Sequence, residues 1–204
     1  MTSELPDLPC LNVPRFDVTD RLVALPPFPL KDARDGREPR LRTSVRLGWR
    51  GGALLVRFDG RDDHIVANIT ARNGPLWTED VFEVFLSPHD PPLRYYEIEV
   101  NPLGALFAAR INSPELARKT MKVDTAWDCR GLAARVQQTP RRWSATLSIP
   151  LSELAEGNSV RTWRANFFRI DRSGQDEYSA WSPTYQDPPD FHVPSRFGAL
   201  RLPA

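Results

Sequence analysis

The chain has 204 residues, of which 41% are hydrophobic and 26% are charged, and its formal net charge is +1. This length fits one domain, and the apolar fraction excludes a globally disordered protein. Because acidic residues are interleaved with the arginines, no basic stripe forms, and nucleic acid is not expected as a partner. No apolar stretch approaches the roughly 20 residues that a membrane span needs, so no membrane partner is expected either.

Two further features bear on the cellular compartment. Cys10 and Cys129 could form a disulfide, but their spacing does not place them within reach, and the simpler interpretation is two reduced thiols. The N-terminus has no basic stretch followed by an apolar one. The sequence therefore predicts a cytoplasmic protein, and a secreted form would require that a leader had been removed.

Residues 1–35 are rich in proline and charge, and they lack a periodic apolar pattern. This composition predicts an extended N-terminal arm that packs Phe16 and Phe28 against the rest of the chain. Residues 36–204 then form the domain proper. The chain contains 20 prolines, which stand mainly between apolar runs and favour many short strands joined by ordered loops.

Alternation of apolar and polar residues is the main structural signal from Leu41 onward. Three hairpins are predicted where two alternating runs stand on either side of a short turn. The turns are Gly51-Gly52, Pro102-Leu103-Gly104 and Thr139-Pro140-Arg141. Short helical turns are predicted at 113–119 and 150–157. Strands are predicted at 41–50, 53–60, 80–86, 94–101, 105–111, 131–138, 142–149, 162–170 and 197–202. The fold class that follows is an all-β antiparallel β-sandwich, jelly-roll-like or immunoglobulin-like.

The same alternation places several carboxylates on one sheet face. Glu97, Glu99 and Asn101 share the face that points away from the core, and Glu83 joins them if its strand is a neighbour. These residues predict an open polar platform whose carboxylates accept hydrogen bonds from ligand hydroxyls. The alternative is a solvated sheet face, on which the glutamates pair with arginines. The arginines considered are Arg94, Arg110 and Arg169.

Longer motifs favour the ligand-binding platform over the solvated sheet face. The segments GPLWTEDVFEVFLSP and RYYEIEVNPLGALF, followed by WRANFFRID, YSAWSPT and FHVPSRFGALRL, resemble the family 9 carbohydrate-binding modules. In that family a Trp precedes an acidic pair, a strand carries a Glu, and the next strand ends in a V-N-P-x-G turn. The resemblance covers roughly residues 35–204 and is therefore more specific than a single short motif.

The resemblance implies non-catalytic, lectin-like carbohydrate binding, with a sugar or the end of an oligosaccharide clamped between Trp77 and Trp181. Rings of this kind stack on the apolar face of a sugar, and polar neighbours select its hydroxyl pattern. This chain departs from the pattern at Glu97 and Glu99, where sugar-binding members tend to carry Arg or Gln. The ligand-binding residues that follow are Trp77, Glu83, Glu97, Glu99, Asn101, Asn166, Arg169 and Trp181.

Two alternative functions remain open. The wider superfamily of such sandwiches includes haem-b electron-transfer domains, for which Met121 and Lys122 would be the candidate ligands. A glycoside (xylan) hydrolase would need two carboxylates across a cleft, which Glu83 could form with Glu97 or Glu99. The three histidines, His64, His89 and His192, do not accompany a nucleophile motif.

No cofactor is required by this reading of the sequence. A structural calcium ion is one further hypothesis, with Asp59, Asp62 and Asp63 as its candidate ligands. The alternative for these three aspartates is the polar end of a hairpin.

Overall fold

The chain folds into two β-sheets packed face to face, as seen in a computed structural model that describes residues 7–15, 19–155 and 160–203. In chain order the strands are β1 (Cys10–Asn12), β2 (Phe28–Pro29), β3 (Lys31–Asp32), β4 (Thr43–Arg50), β5 (Ala53–Arg61), β6 (Val81–Ser87), β7 (Arg94–Val100), β8 (Leu106–Asn112), β9 (Lys122–Asp124), β10 (Ala133–Thr139), β11 (Arg142–Pro150), β12 (Thr162–Asp171), β13 (Glu177–Ala180) and β14 (Gly198–Arg201). The predicted all-β sandwich is confirmed.

The larger sheet has the order β1-β14-β12-β6-β7-β8-β9, with β13 paired to β12 and β3 paired to β13. The smaller sheet has the order β10-β11-β5-β4-β2. Among the described strands, only β1 and β14 pair in parallel. The strands β6, β7 and β12 lie side by side at the centre of the larger sheet, and this sheet positions the candidate site.

All three predicted hairpins are present, as β4–β5, β7–β8 and β10–β11. At the first turn Gly51 and Gly52 have φ angles of 57° and 83°, a left-handed geometry that glycine adopts without strain. Sequence reasoning missed the short strands β1, β2, β3, β9 and β13, because two to four residues are too few for alternation to be visible.

The predicted helix at 113–119 is wrong. Leu116 has a left-handed φ of 54°, which interrupts a right-handed helix, and only a 3-10 turn at Arg118–Thr120 forms. The second predicted helical turn is a 3-10 turn at Leu151–Glu153, and its expected end at Gly157 lies outside the described residues. None of the helical segments that the structure describes is long and apolar enough to cross a membrane.

The N-terminal segment adds edge strands to both sheets. Strand β2 pairs with β4 of the smaller sheet, whereas β1 and β3 belong to the larger sheet. Phe28 packs its ring against Phe167 and Trp181, at centroid distances of 5.6 and 5.5 Å. Phe16, which was predicted to pack in the same way, lies outside the described residues.

The core between the sheets is rich in stacked aromatic rings. The Phe82 ring stacks on Phe58 at 4.6 Å and on Trp143 at 3.7 Å, and all three side chains are fully buried. Rings of this size remove a large apolar area from water and dominate the stability of such a core. Cys129 is buried and Cys10 is exposed, and both are free thiols, so the disulfide considered from the sequence does not form.

Candidate functional site

The outer face of the larger sheet is covered instead of open. Phe85, Phe107 and Phe168 point away from the inter-sheet core and join a second hydrophobic cluster. The segment between β13 and β14 closes over them, with Phe191 stacked on Phe168 at 4.2 Å and Phe197 packed edge-on against Phe85 at 6.0 Å. The prediction of an open platform is therefore wrong, because the segment between β13 and β14 packs onto the apolar residues of this face.

A cavity of about 750 Å³ remains beside this cover. Its floor includes Glu83 and Glu97, and its walls include Trp77, Tyr178 and His192. The volume lies within the range of about 300–1,000 Å³ that is usual for small-molecule sites. The combination of polar floor and aromatic walls makes this cavity the candidate functional site.

Trp77 stands at the mouth of the cavity on a short 3-10 turn, Leu76–Thr78. Leu76 is fully buried and anchors the turn, while the Glu79 carboxylate accepts the backbone N–H groups of Asn68 and Ile69 at 2.8 and 3.1 Å. The Trp77 ring is edge-on to Phe107 at 5.4 Å, and 43% of the residue stays exposed. A large ring that is held in place yet half open to solvent is suited to bind a ligand.

Arg172 connects the two aromatic walls. Its guanidinium donates to the Trp77 carbonyl at 2.8 Å and to the Tyr178 hydroxyl at 2.6 Å, and it pairs with Asp176. The guanidinium carbon also lies 5.2 Å from the centre of the Tyr178 ring. These contacts fix the separation of Trp77 and Tyr178 before any ligand binds.

The three predicted glutamates do lie together, and this prediction is confirmed. In the pairing of β6 with β7, Glu83 is directly opposite Glu99, and Glu97 follows two positions along the same face. They are 2%, 0% and 7% exposed respectively, and carboxylate oxygens of all three lie within 4.8 Å of one another. Arg110 and Arg169, considered as their partners, pair with aspartates elsewhere.

This crowding changes the acidity of all three groups. Burial, reinforced by the neighbouring carboxylates, raises the pKa of Glu83 and of Glu99 well above the usual value. Burial raises the pKa of Glu97 to about 7. The protonated form of each of the three carboxyl groups is therefore favoured more than it would be in water.

His192 lies between the glutamates and a buried tyrosine. Its Nδ1 is 2.8 Å from the Tyr95 hydroxyl, and its Nε2 is 3.7 Å from an oxygen of Glu97. Burial lowers the pKa of His192 to about 4, so the ring is neutral at pH 7. A neutral ring offers this site hydrogen bonding but no counter-charge.

The predicted pairing of Trp77 with Trp181 is wrong. Trp181 is 8% exposed and packs on Phe28 and Phe167 inside the core between the sheets. Its backbone N–H donates to the Phe167 carbonyl at 2.9 Å, so the alternation of β13 continues and turns this ring inward. Trp77 and Trp181 therefore lie on opposite faces of the larger sheet.

Three residues that were predicted to contact the ligand, Asn101, Asn166 and Arg169, form hydrogen bonds or ion pairs within the fold instead. Asn101 is buried and donates to the Ile69 carbonyl at 2.7 Å, while its carbonyl oxygen accepts the Ala105 N–H at 2.9 Å. Asn166 exchanges hydrogen bonds with the backbone of Ser182 at 2.8 and 3.0 Å. Both side chains stabilise turns and do not line the cavity.

Arg169, the third of these residues, is buried on the inner face of the larger sheet. It pairs with Asp62 at 3.0 Å and with Asp171, and it also donates to Thr43 Oγ1 at 3.1 Å. The three aspartates considered for a structural calcium ion also pair with arginines. Each has its own arginine: Asp59 pairs with Arg46 and Arg57, Asp62 with Arg169, and Asp63 with Arg40.

Several cavity residues were missed by sequence reasoning. Phe107 sits on the outward phase of β8, so alternation could have identified it, whereas Tyr178 lies in β13, which is too short to show a phase in the sequence. Phe191 lies in a loop with no periodic signal. Met121, considered as a haem ligand, lines the cavity with its sulfur 3.5 Å from the Tyr95 hydroxyl, whereas Lys122 is exposed.

Comparison with known families gives one match, to the model described as carbohydrate-binding family 9, over residues 39–202. No protein of curated function matches the chain. The matched region includes the whole cavity.

Solved structures of the same fold share little sequence with this chain. A hypothesised carbohydrate-binding protein from Bacteroides uniformis aligns with a TM-score of 0.80 at 20% identity, covering 97% of this chain and 100% of its own. A family 9 carbohydrate-binding module from Caldicellulosiruptor kristjanssonii in complex with cellotriose aligns with a TM-score of 0.64 at 15% identity, covering 95% and 93%. A glucose complex of a family 9 module from the same organism has a TM-score of 0.63 at 16% identity and covers 96% of each chain.

Proposed function

Because the chain belongs to carbohydrate-binding family 9, we propose that the cavity beside Trp77 binds a sugar or the end of an oligosaccharide without cleaving it. The observation that carries the proposal is the half-exposed Trp77 ring at the mouth of a cavity with a carboxylate floor. An indole ring stacks on the C–H face of a pyranose and removes that face from water. Carboxylates at the floor accept hydrogen bonds from the sugar hydroxyls.

In this proposal Tyr178, one of several aromatic groups that line the cavity, takes the role first assigned to Trp181. Contacts within the protein fix the groups that line the cavity before a ligand arrives. Arg172 holds Trp77 and Tyr178, and the Tyr95 hydroxyl contacts His192. Preorganised partners of this kind reduce the entropy lost on binding.

Isothermal titration calorimetry with glucose, cellotriose and xylotriose tests the proposal. Glucose and cellotriose are included because the Caldicellulosiruptor modules are described in complex with them. We expect saturable heat at millimolar or lower concentration for at least one sugar, which corresponds to about 4 kcal/mol or more of binding free energy. The same sugars should yield no shorter products after long incubation. Absence of heat with every sugar would contradict the proposal.

A further inference from the structure

The buried glutamates at the cavity floor have no resident counter-charge. Within residues 7–15, 19–155 and 160–203, both Glu99 oxygens are buried without a hydrogen-bond donor. Among the described side chains, the basic group within ion-pair distance of these glutamates is His192, whose Nε2 lies 3.7 Å from an oxygen of Glu97. A buried carboxylate without a paired charge is strongly disfavoured.

The arginines that line the cavity pair with aspartates outside the glutamate cluster. Arg118 pairs with Asp190 at 2.7 Å, and Arg172 pairs with Asp176. No salt bridge to Glu83 or Glu99 is formed by the described side chains. The charges of Arg172 and Arg118 therefore act on Glu83 and Glu97 only through space, without a direct ion pair.

A second carboxylate cluster in the same molecule shows how such a group is normally stabilised. Asp62, Asp80 and Asp171 also have oxygens within 4.8 Å of one another, but Arg169 pairs with two of them. Each of the three also accepts backbone N–H groups, at distances between 2.6 and 3.0 Å. Among the described residues, the glutamate cluster has neither a paired arginine nor such backbone donors, and two of its members, Glu83 and Glu97, line the cavity.

We infer that Glu83, Glu97 and Glu99 bind a divalent cation of the calcium class at the cavity floor. Calcium takes oxygen ligands at about 2.3–2.6 Å in flexible geometry, and carboxylate oxygens within 4.8 Å of one another can share one such ion. Glu99 is fully buried, and neither of its oxygens meets a hydrogen-bond donor of the described fold other than the neighbouring carboxyl of Glu97. The side of the ion that faces the cavity stays open to water.

The open side also gives the cation a role in recognition. Vicinal hydroxyls of a bound sugar can replace these waters and complete the coordination shell. This second step rests on the proposed function, whereas binding of the ion itself does not.

The test is a calorimetric titration of the full chain with calcium chloride after removal of metal by EDTA and dialysis, with no sugar present. We expect saturable heat for one ion per chain and a rise in Tm at saturating calcium. In Glu99→Gln the calcium affinity should fall by about tenfold or more, while the Tm of the metal-free variant should equal or exceed that of the metal-free wild type. Glu115→Gln, an exposed glutamate outside the cluster, should behave like the wild type.

Two results would overturn the inference: no heat and no change in Tm with millimolar calcium, or calcium binding that Glu99→Gln leaves intact. Circular dichroism establishes that the variant is folded. A parallel sugar titration, in EDTA and in saturating calcium, separates the two proposals, because equal sugar affinity in both removes the role of the cation in recognition and leaves the proposed function standing. Calcium binding without sugar binding would contradict the proposed function and leave the cation site standing.

Discussion

Replacing Arg169 with methionine is expected to lower the free energy of unfolding by about 3–5 kcal/mol. The guanidinium pairs with Asp62 and Asp171, which are 2% and 1% exposed. Removing it leaves two buried carboxylates without a counter-charge, beside the third carboxylate of Asp80. The loss should be measured by urea denaturation at pH 7 with both proteins at the same salt concentration.

The matched control is Arg110→Met on β8 of the same sheet. Arg110 pairs with Asp124 at 2.6 Å, but both side chains are at least 40% exposed. Exposed ion pairs contribute about 0–1 kcal/mol, so this variant should remain close to the wild type. Equal losses at the two positions would contradict the role given to Arg169.

Replacing Trp77 with alanine is expected to weaken sugar binding by about 30-fold, equivalent to about 2 kcal/mol. The reason is that the exposed face of the indole is the stacking surface for the pyranose, while the ring contributes only one recorded aromatic contact to the fold, to Phe107. Calorimetry with the tightest sugar of the panel gives the affinity, and urea denaturation shows whether the variant stays folded.

Two control variants accompany the Trp77 measurement. Leu103→Ala removes an exposed apolar side chain at the β7–β8 turn, away from the cavity. Trp181→Phe changes the ring first expected to form the clamp, and it should lower stability without changing affinity. If Trp181→Phe weakened sugar binding as much as Trp77→Ala, the cavity would not be the site.

Alternation along single strands predicts much of the candidate site. It places Glu97 and Glu99 on one face, because residues two positions apart in a strand point the same way without any tertiary information. The position of Glu83 opposite Glu99 then depends only on β6 and β7 being neighbours. For this reason the carboxylate cluster is predictable even though its burial is not.

The burial depends on a segment without periodicity. Residues 181–197 contain several prolines and no alternating pattern, yet Phe191 and Phe197 cover the outer face of the larger sheet. Nothing in a single strand indicates which loop will pack onto it. The expected open platform consequently becomes a cavity with a buried floor.

The errors at Trp181, Asn166 and Arg169 have one origin. Each side chain has the chemistry of a sugar-binding group, but residue type does not reveal what lies beside it in the fold. Trp181 continues the alternation of β13 and packs inward, Asn166 bonds the backbone of Ser182, and Arg169 balances buried aspartates. The phase of β13, extended past Ala180, places Trp181 in the core, but four residues are too few to show that phase in the sequence.

The most direct test of the sugar site is a titration of the ¹⁵N-labelled protein with its tightest-binding sugar, followed by amide and indole N–H resonances. The Trp77 indole and the Gln186 and His192 amides should shift with a common affinity, while the Trp181 indole should not move. Shifts confined to the outer face of the smaller sheet, around Arg46 and Arg57, with the Trp77 indole unchanged, would contradict carbohydrate binding in this cavity.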